Sequence, residues 1–209
     1  KEEKTRFYYF RYGPFVIATA RPETKFADKI IVVHPGDERY KKYIGKSMVV
    51  PWIEGDVSAT ILADKSVDPK FGTGAMTITP AHDFNDFEIA QRHKLEILQI
   101  IDEKGNLTDA AGSFAGKNAR TARDEIVKKL ADKGLVEKID EAYVHNISLC
   151  YRCDTPVEPL VSKQWFISVD KPFGRRADGA ERNKKAKSLK QIALEGVRNG
   201  KIKILPDHF

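Results

Sequence analysis

Phe71-Gly-Thr-Gly-Ala-Met-Thr-Ile-Thr-Pro-Ala-His-Asp-Phe-Asn-Asp-Phe-Glu88 packs a turn, a strand and a helix start into one short run. Gly72-Thr73-Gly74 reads as a turn, Ala75 to Thr79 as a β-prone segment, and Pro80 as its stop. Proline cannot donate to a ladder, and it biases the residue before it towards extended backbone. Asp83 then suits the N-cap of a helix, because its carboxylate accepts the free N–H groups of the first turn. Asp86 falls on the same side of that helix as Asp83. Two carboxylates and two hydroxyls, Thr77 and Thr79, are thus expected together where a strand ends and a helix begins. Such a group suits a ligand that carries an ammonium and hydroxyls. The same residues also make an ordinary helix start, so this stretch alone leaves both readings open.

Composition narrows the classes. The chain has 209 residues, of which 41% are hydrophobic, enough for one large domain or one domain with an appendage. No apolar run approaches the roughly 20 residues that span a bilayer, so no membrane association is expected. Lys1 to Arg6 is charged and no apolar h-region follows it, so no secretory signal is expected. The only cysteines form Cys150-Tyr-Arg-Cys153, and the simplest reading is a cytoplasmic protein, expected as a monomer. The net charge of +6 lies in residues 172–209, which hold ten Lys or Arg against four Asp or Glu. A basic arm suits a polyanion such as nucleic acid, although a solvated tail has the same composition.

Along the chain, Arg6–Tyr12 and Phe15–Ala20 read as strands around a Gly13-Pro14 turn. Arg21 follows, held extended by Pro22, with a planar fork that binds carboxylates or phosphates. Lys29–Val33, Ser47–Pro51 and Ala59–Ala63 read as further strands, and Asp37 as the cap of a helical segment to Tyr43. The helix capped by Asp83 should run to about Lys94, and Leu95–Ile101 should be a strand. Lys117–Lys133 has the clearest helical spacing, with Gly134 at its C-terminus. Leu135–Ile147 reads as a strand, 189–197 as a helix ended by Gly200, and Lys201–Leu205 as a short strand. Many short strands with few helices between them argue for a closed or nearly closed β-barrel with peripheral helices. The expected division is a barrel domain over 1–171 and a basic helical arm over 172–209.

Two groups of motifs resemble a known family. Thr19-Ala-Arg-Pro-Glu-Thr24 with Val33-His-Pro-Gly-Asp-Glu-Arg-Tyr40 is similar to the first half of the editing domain of valyl-tRNA synthetases. Phe71-Gly-Thr-Gly-Ala75 with Ile78-Thr-Pro-Ala-His-Asp-Phe-Asn-Asp-Phe-Glu88 and Gln91-Arg-His93 is similar to its second half. Glu158-Pro-Leu and Ser162-Lys-Gln-Trp-Phe166 resemble the segment that leaves that insertion, and most of residues 7–170 is covered.

The resemblance implies a β-barrel inserted into a class I catalytic core, which hydrolyses tRNA(Val) charged with threonine at its 3′ end. Threonyl-adenylate is a further possible substrate. An apolar pocket built for valine cannot strongly reject an isostere that only adds a hydroxyl, and this synthetase is the standard instance of that limit. In the family pattern Asp86 holds the α-ammonium group, Thr79 and Asp83 line the threonine pocket, Phe71 forms an apolar wall, and Arg21 meets the tRNA end. The family often carries lysine where this chain has Thr77, so here that position offers a hydroxyl. Asp83 and Asp86 are the residues expected to serve hydrolysis, with water attacking the ester and either Asp83 or a ribose hydroxyl assisting.

No G-x-S-x-G elbow or catalytic cysteine site is present to form an acyl-enzyme. His82 is expected to hold the Asp83 loop through its neutral ring. Neither signature of a class I core nor a phosphate loop occurs, so ATP and Mg are expected to serve only the full-length enzyme, and the chain reads as an excised fragment. Cys150 and Cys153 make half of a four-ligand zinc site with only His145 nearby, so no metal is expected. Two other functions fit part of the pattern: an isoleucyl-type domain clearing Val-tRNA(Ile), and a tRNA-binding module without catalysis.

Overall fold

The computed structural model describes residues 1–172 and 187–205. They divide into two units, Lys1–Val161 and Ser162–Phe209. The boundary expected after residue 171 falls inside the second.

In the first unit seven strands form two sheets. They are β1 (Glu2–Tyr12), β2 (Phe15–Thr19), β3 (Ile30–Val33), β4 (Ser47–Pro51), β5 (Asp56–Ala63), β6 (Ala75–Thr77) and β7 (Val136–Asn146). One sheet has the order β2-β1-β7 and is antiparallel throughout. The other has the order β4-β5-β3-β6, with β3 and β5 parallel and the remaining pairs antiparallel. The mainly-β architecture with helices at its edges is therefore as expected, but the ladders of the described residues do not close into a ring. Where the turn before β6 meets β2, the link is a side-chain bond, from the Thr73 hydroxyl to the Val16 carbonyl.

The strands are amphipathic with period two, and their inner faces make one core. Phe10, Tyr12, Phe15 and Ile17 of the first sheet pack with Ile31, Val33 and Ile61 of the second, and Trp52 fills the space between. Helix α2 (Arg123–Asp132) adds Ile126 and Leu130 to that core. The far side of the second sheet is covered by α1 (Phe84–His93), whose Ile89 meets Val32, Val67 and Ile78. β3 is thus covered on both faces and reads as an unbroken apolar run for that reason, while Val49 of the edge strand β4 stays exposed.

Four segments depart from expectation. Leu95–Ile101 forms no strand, because the N–H groups of Ile100 and Ile101 donate to the ring of His82, 2.9 and 3.1 Å away. The helix expected from Lys117 begins only at Arg123. The Asn118 side chain accepts from Arg120 and Thr121 N–H and holds those residues in a turn. Asp37 leads into turns and a short 3-10 segment, Lys41–Tyr43. Its carboxylate is taken by Arg39, with Nε 2.9 Å from Oδ1. Lys201–Leu205 is not a strand.

In the second unit, α3 (Leu189–Arg198) starts at a capping box. Ser188 Oγ accepts from Gln191 N–H, and Gln191 Oε1 accepts from Ser188 N–H. Gly200 follows the helix at φ +74°, as its position predicts. Ile192 and Val197 are half-exposed, and Trp165, Phe166 and Ile167 are exposed. Much of the basic arm, including Arg175, Arg176, Arg182, Lys184 and Lys185, lies outside the described residues. No described helix is long and apolar enough to cross a membrane.

Candidate active site

The site sits where β6 ends and α1 begins. Gly74 makes the entry possible: its φ is +77°, and a Cβ there would lie 2.7 Å from the Pro69 carbonyl oxygen. The chain runs through β6, breaks at Pro80 and re-enters at Asp83, the N-cap of α1. Asp83 Oδ1 accepts from Asn85 N–H at 2.8 Å and Asp86 N–H at 3.1 Å. That capping fixes the first turn and points Asp86 back at the strand end, where its Oδ2 accepts from Thr79 N–H at 2.8 Å. The Thr79 hydroxyl stands 3.4 Å from the same oxygen. Among the described residues Asp86 Oδ1 takes no hydrogen bond, and the residue lines an open cavity.

That cavity has a volume of about 610 Å³, and Arg21, Phe71, Thr77, Thr79, Asp83 and Asp86 all line it. The residues singled out from the sequence therefore meet in one place. Phe71 is 59% exposed and edges against Phe7, which leaves an aromatic face at the mouth. Asp83 is exposed and keeps Oδ2 clear of the cap. Asp86 and Thr79 are buried. Burial pushes the Asp86 carboxyl up to about 6, against the Thr79 N–H bond and the charge of Lys25, which favour the ionised form.

Arg21 lines the cavity among other charged groups. Its fork is already engaged: one amino group donates to the His82 carbonyl at 3.0 Å, the other to Glu158, and Nε lies 3.4 Å from Glu23. It holds the Asp83 corner and the Glu158 segment while lining the cavity. His82 is buried and structural, as expected, but its target is the 100–101 segment rather than the Asp83 loop. Nε2 accepts two N–H groups, so the ring proton sits on Nδ1, which faces Glu158 Oε1 at 3.3 Å. Burial alone would raise the Glu158 carboxyl; the His82 ring and the Arg21 guanidinium outweigh it and hold it below the usual range.

A family model described as leucyl-tRNA synthetase, editing domain, matches residues 43–141. The valine–tRNA ligase of Thermotoga maritima is 41% identical over 215 residues, covering 100% of this chain and 22% of the relative. That of Helicobacter pylori strain J99 is 46% identical over 176 residues, covering 81% of this chain and 20% of the relative. The chain belongs to the aminoacyl-tRNA synthetase editing-domain family, in its valine–tRNA ligase branch. It spans about a fifth of the length of the curated relatives it matches. Among solved structures, a ternary complex titled Agrobacterium radiobacter K84 agnB2 LeuRS-tRNA-LeuAMS aligns with a TM-score of 0.45. It is 15% identical and covers 75% of this chain and 24% of that one.

The editing domain also holds residues that the sequence reading missed. Thr77 offers only a hydroxyl, yet a cation reaches it from elsewhere. Lys25 Nζ lies 3.1 Å from Thr77 Oγ1 and 3.5 Å from Asp28 Oδ1, and both charged residues are buried. They belong to the 3-10 segment Pro22–Ala27 and its C-terminal cap, where positions three apart fall on one side. Glu23, from the same segment, is 1% exposed and takes a two-pronged bond from Arg123 at 2.6 and 2.7 Å, tying α2 to the site. The signal was available: Arg21, Glu23, Lys25 and Asp28 are four charged residues spaced two and three apart, beside a proline. Cys150 and Cys153 close a small turn with Asp154 at φ +53°. Among the described residues no group of three or more His, Cys, Asp or Glu is placed to hold a metal ion.

Proposed function

We propose that this editing domain hydrolyses the ester bond of tRNA(Val) charged with threonine. The observation that carries the reading is the Asp86 carboxylate, which lines the cavity beside the Thr79 hydroxyl and has one oxygen without a hydrogen bond among the described residues. A buried carboxylate with one open oxygen is the natural partner of the substrate's α-ammonium group. Thr79 and Thr77 are hydroxyls within the same cavity, suited to a β-hydroxy side chain. We assign orientation of the attacking water to Asp83, whose Oδ2 takes no part in the cap, or to a ribose hydroxyl, and positioning with electrostatics can supply much of the rate for a reactive ester. Phe71 suits the face of the terminal base.

Amino-acid activation with ATP and Mg we assign to the remainder of a full-length ligase. Trp165, Phe166 and Ile167, exposed in this chain, fit a segment covered by that remainder. The test is cleavage of Thr-tRNA(Val), with Val-tRNA(Ile) as the competing substrate. Selective release of threonine supports the reading. Preference for Val-tRNA(Ile) would reassign the pocket to an isoleucyl-type substrate, and binding of tRNA without cleavage would reduce the domain to a docking module.

A further inference from the structure

We propose that Lys25 is a positioning residue of this site, and that Lys25, Asp28 and Asp86 form a buried charge cluster one cation short, which the substrate's α-ammonium group completes. The inference rests on the deacylase reading and deepens it.

Two carboxylates and one ammonium are buried close together, and of these Lys25 and Asp86 line the cavity. Asp28 is 1% exposed, Lys25 5% and Asp86 6%. Lys25 donates to Thr77 Oγ1 at 3.1 Å and Thr77 O at 3.4 Å, and lies 3.5 Å from Asp28 Oδ1. Thr77 Oγ1 in turn donates to Asp28 Oδ2 at 2.8 Å. Burying an unmatched charge is costly. With Lys25 protonated, the cluster carries one negative charge too many when both carboxylates are ionised. The free domain relieves this by binding a proton. Burial pushes the Asp28 carboxyl up to about 7 and that of Asp86 to about 6, and in both Lys25 pulls the other way.

The neighbours do not cancel the imbalance. Around Asp86 stand Thr79, Asp83 and Asp28, and Asp83 adds negative charge. Around Asp28 stand Thr77, Lys25 and Tyr12, whose neutral hydroxyl donates to the Asp28 carbonyl. Arg21 is neutralised by Glu23 and Glu158, and Arg123 by Glu23. A substrate ammonium at Asp86 Oδ1 supplies the missing charge, and the cluster's proton leaves to solvent. The acid limb of kcat/KM then follows protonation of Asp86, with Lys25 and Asp28 setting its position.

The test uses two variants with opposite expected signs. Lys25→Met leaves the cluster two cations short. Its acid limb in kcat/KM for Thr-tRNA(Val), followed from pH 5.5 to 8, should move upward, with about a tenfold loss at pH 7 that shrinks as pH rises. Asp28→Asn leaves Asp86 matched by Lys25, and its acid limb should move downward. A purely structural role for Lys25 would lower kcat/KM equally at every pH. That result, or shifts of the same sign in both variants, would overturn the proposal. Carboxyl ¹³C titration of the free domain checks the same balance without substrate: Lys25→Met should raise the Asp86 titration and Asp28→Asn should lower it. If Lys25→Met fails to fold, Asp28→Asn alone decides the sign. Absence of cleavage by the unaltered domain would sink the deacylase reading, while the ¹³C titration would still decide the charge balance.

Discussion

At the first turn of α1, Asp86 takes an N–H bond through one oxygen and lines the cavity; Asp64, which follows β5, is saturated by the last turn of the same helix. Arg92 donates to both Asp64 oxygens at 3.0 Å, and His93 Nε2 and Ser66 complete the shell. Burial raises both carboxyls. At Asp64 the Arg92, Ser66 and His93 bonds win, and the carboxyl is held well below the usual range. At Asp86 they do not, and it stands near 6. The two ends of one helix therefore meet two different carboxylates: Asp64, just after β5, spent on stability, and Asp86, on the helix itself, held in reserve. A group with all its partners already made has little left to offer a ligand.

The sharpest way to break that contrast is Asp86→Ala. It should lower Thr-tRNA(Val) deacylation by at least about a hundredfold, while thermal melting shows at most a small loss. Near-normal cleavage would remove Asp86 from the site. The mirror-image change is Asp64→Asn. Weakening a shell of charged donors around a buried group should cost about 1–3 kcal/mol in denaturant unfolding, with far less effect on cleavage than at Asp86.

Acid should separate the two ends next. Cleavage should fall about tenfold per pH unit below the Asp86 value near 6, because the protonated carboxyl no longer pairs with an ammonium. Asp64 has a folded value below its unfolded one, so its contribution is present at neutral pH and is lost only as pH falls through the depressed value. The smallest effect concerns Asp28, whose folded value of about 7 lies above the ordinary carboxylate value. The folded state holds the extra proton in that window, so this group's contribution declines as pH rises towards 7. Asp28→Asn should flatten that slope in melting curves recorded from pH 4 to 7.

Local chemistry made much of the site legible. Pro80 and the Asp83 cap placed the strand end and helix start, and they brought Thr77, Thr79, Asp83 and Asp86 to one cavity. Period-two alternation located most strands. The failures were places where a side chain from elsewhere captured backbone donors. His82 took the N–H groups of Ile100 and Ile101, and Asn118 held off the start of α2. Neither capture leaves a mark in the spacing of the segment that is captured.

By itself, the sequence determined most strands, the start and acidic first turn of α1, and the family, because caps, prolines and long motifs act within a few residues. Tertiary structure alone decided that the ladders form two sheets rather than a hydrogen-bonded ring, that Arg21 is held by Glu23 and Glu158, and that Lys25 supplies the cation beside Thr77. Each of these depends on which distant charges and donors share a buried space. There the energy of a group is set by its neighbours across the fold rather than along the chain.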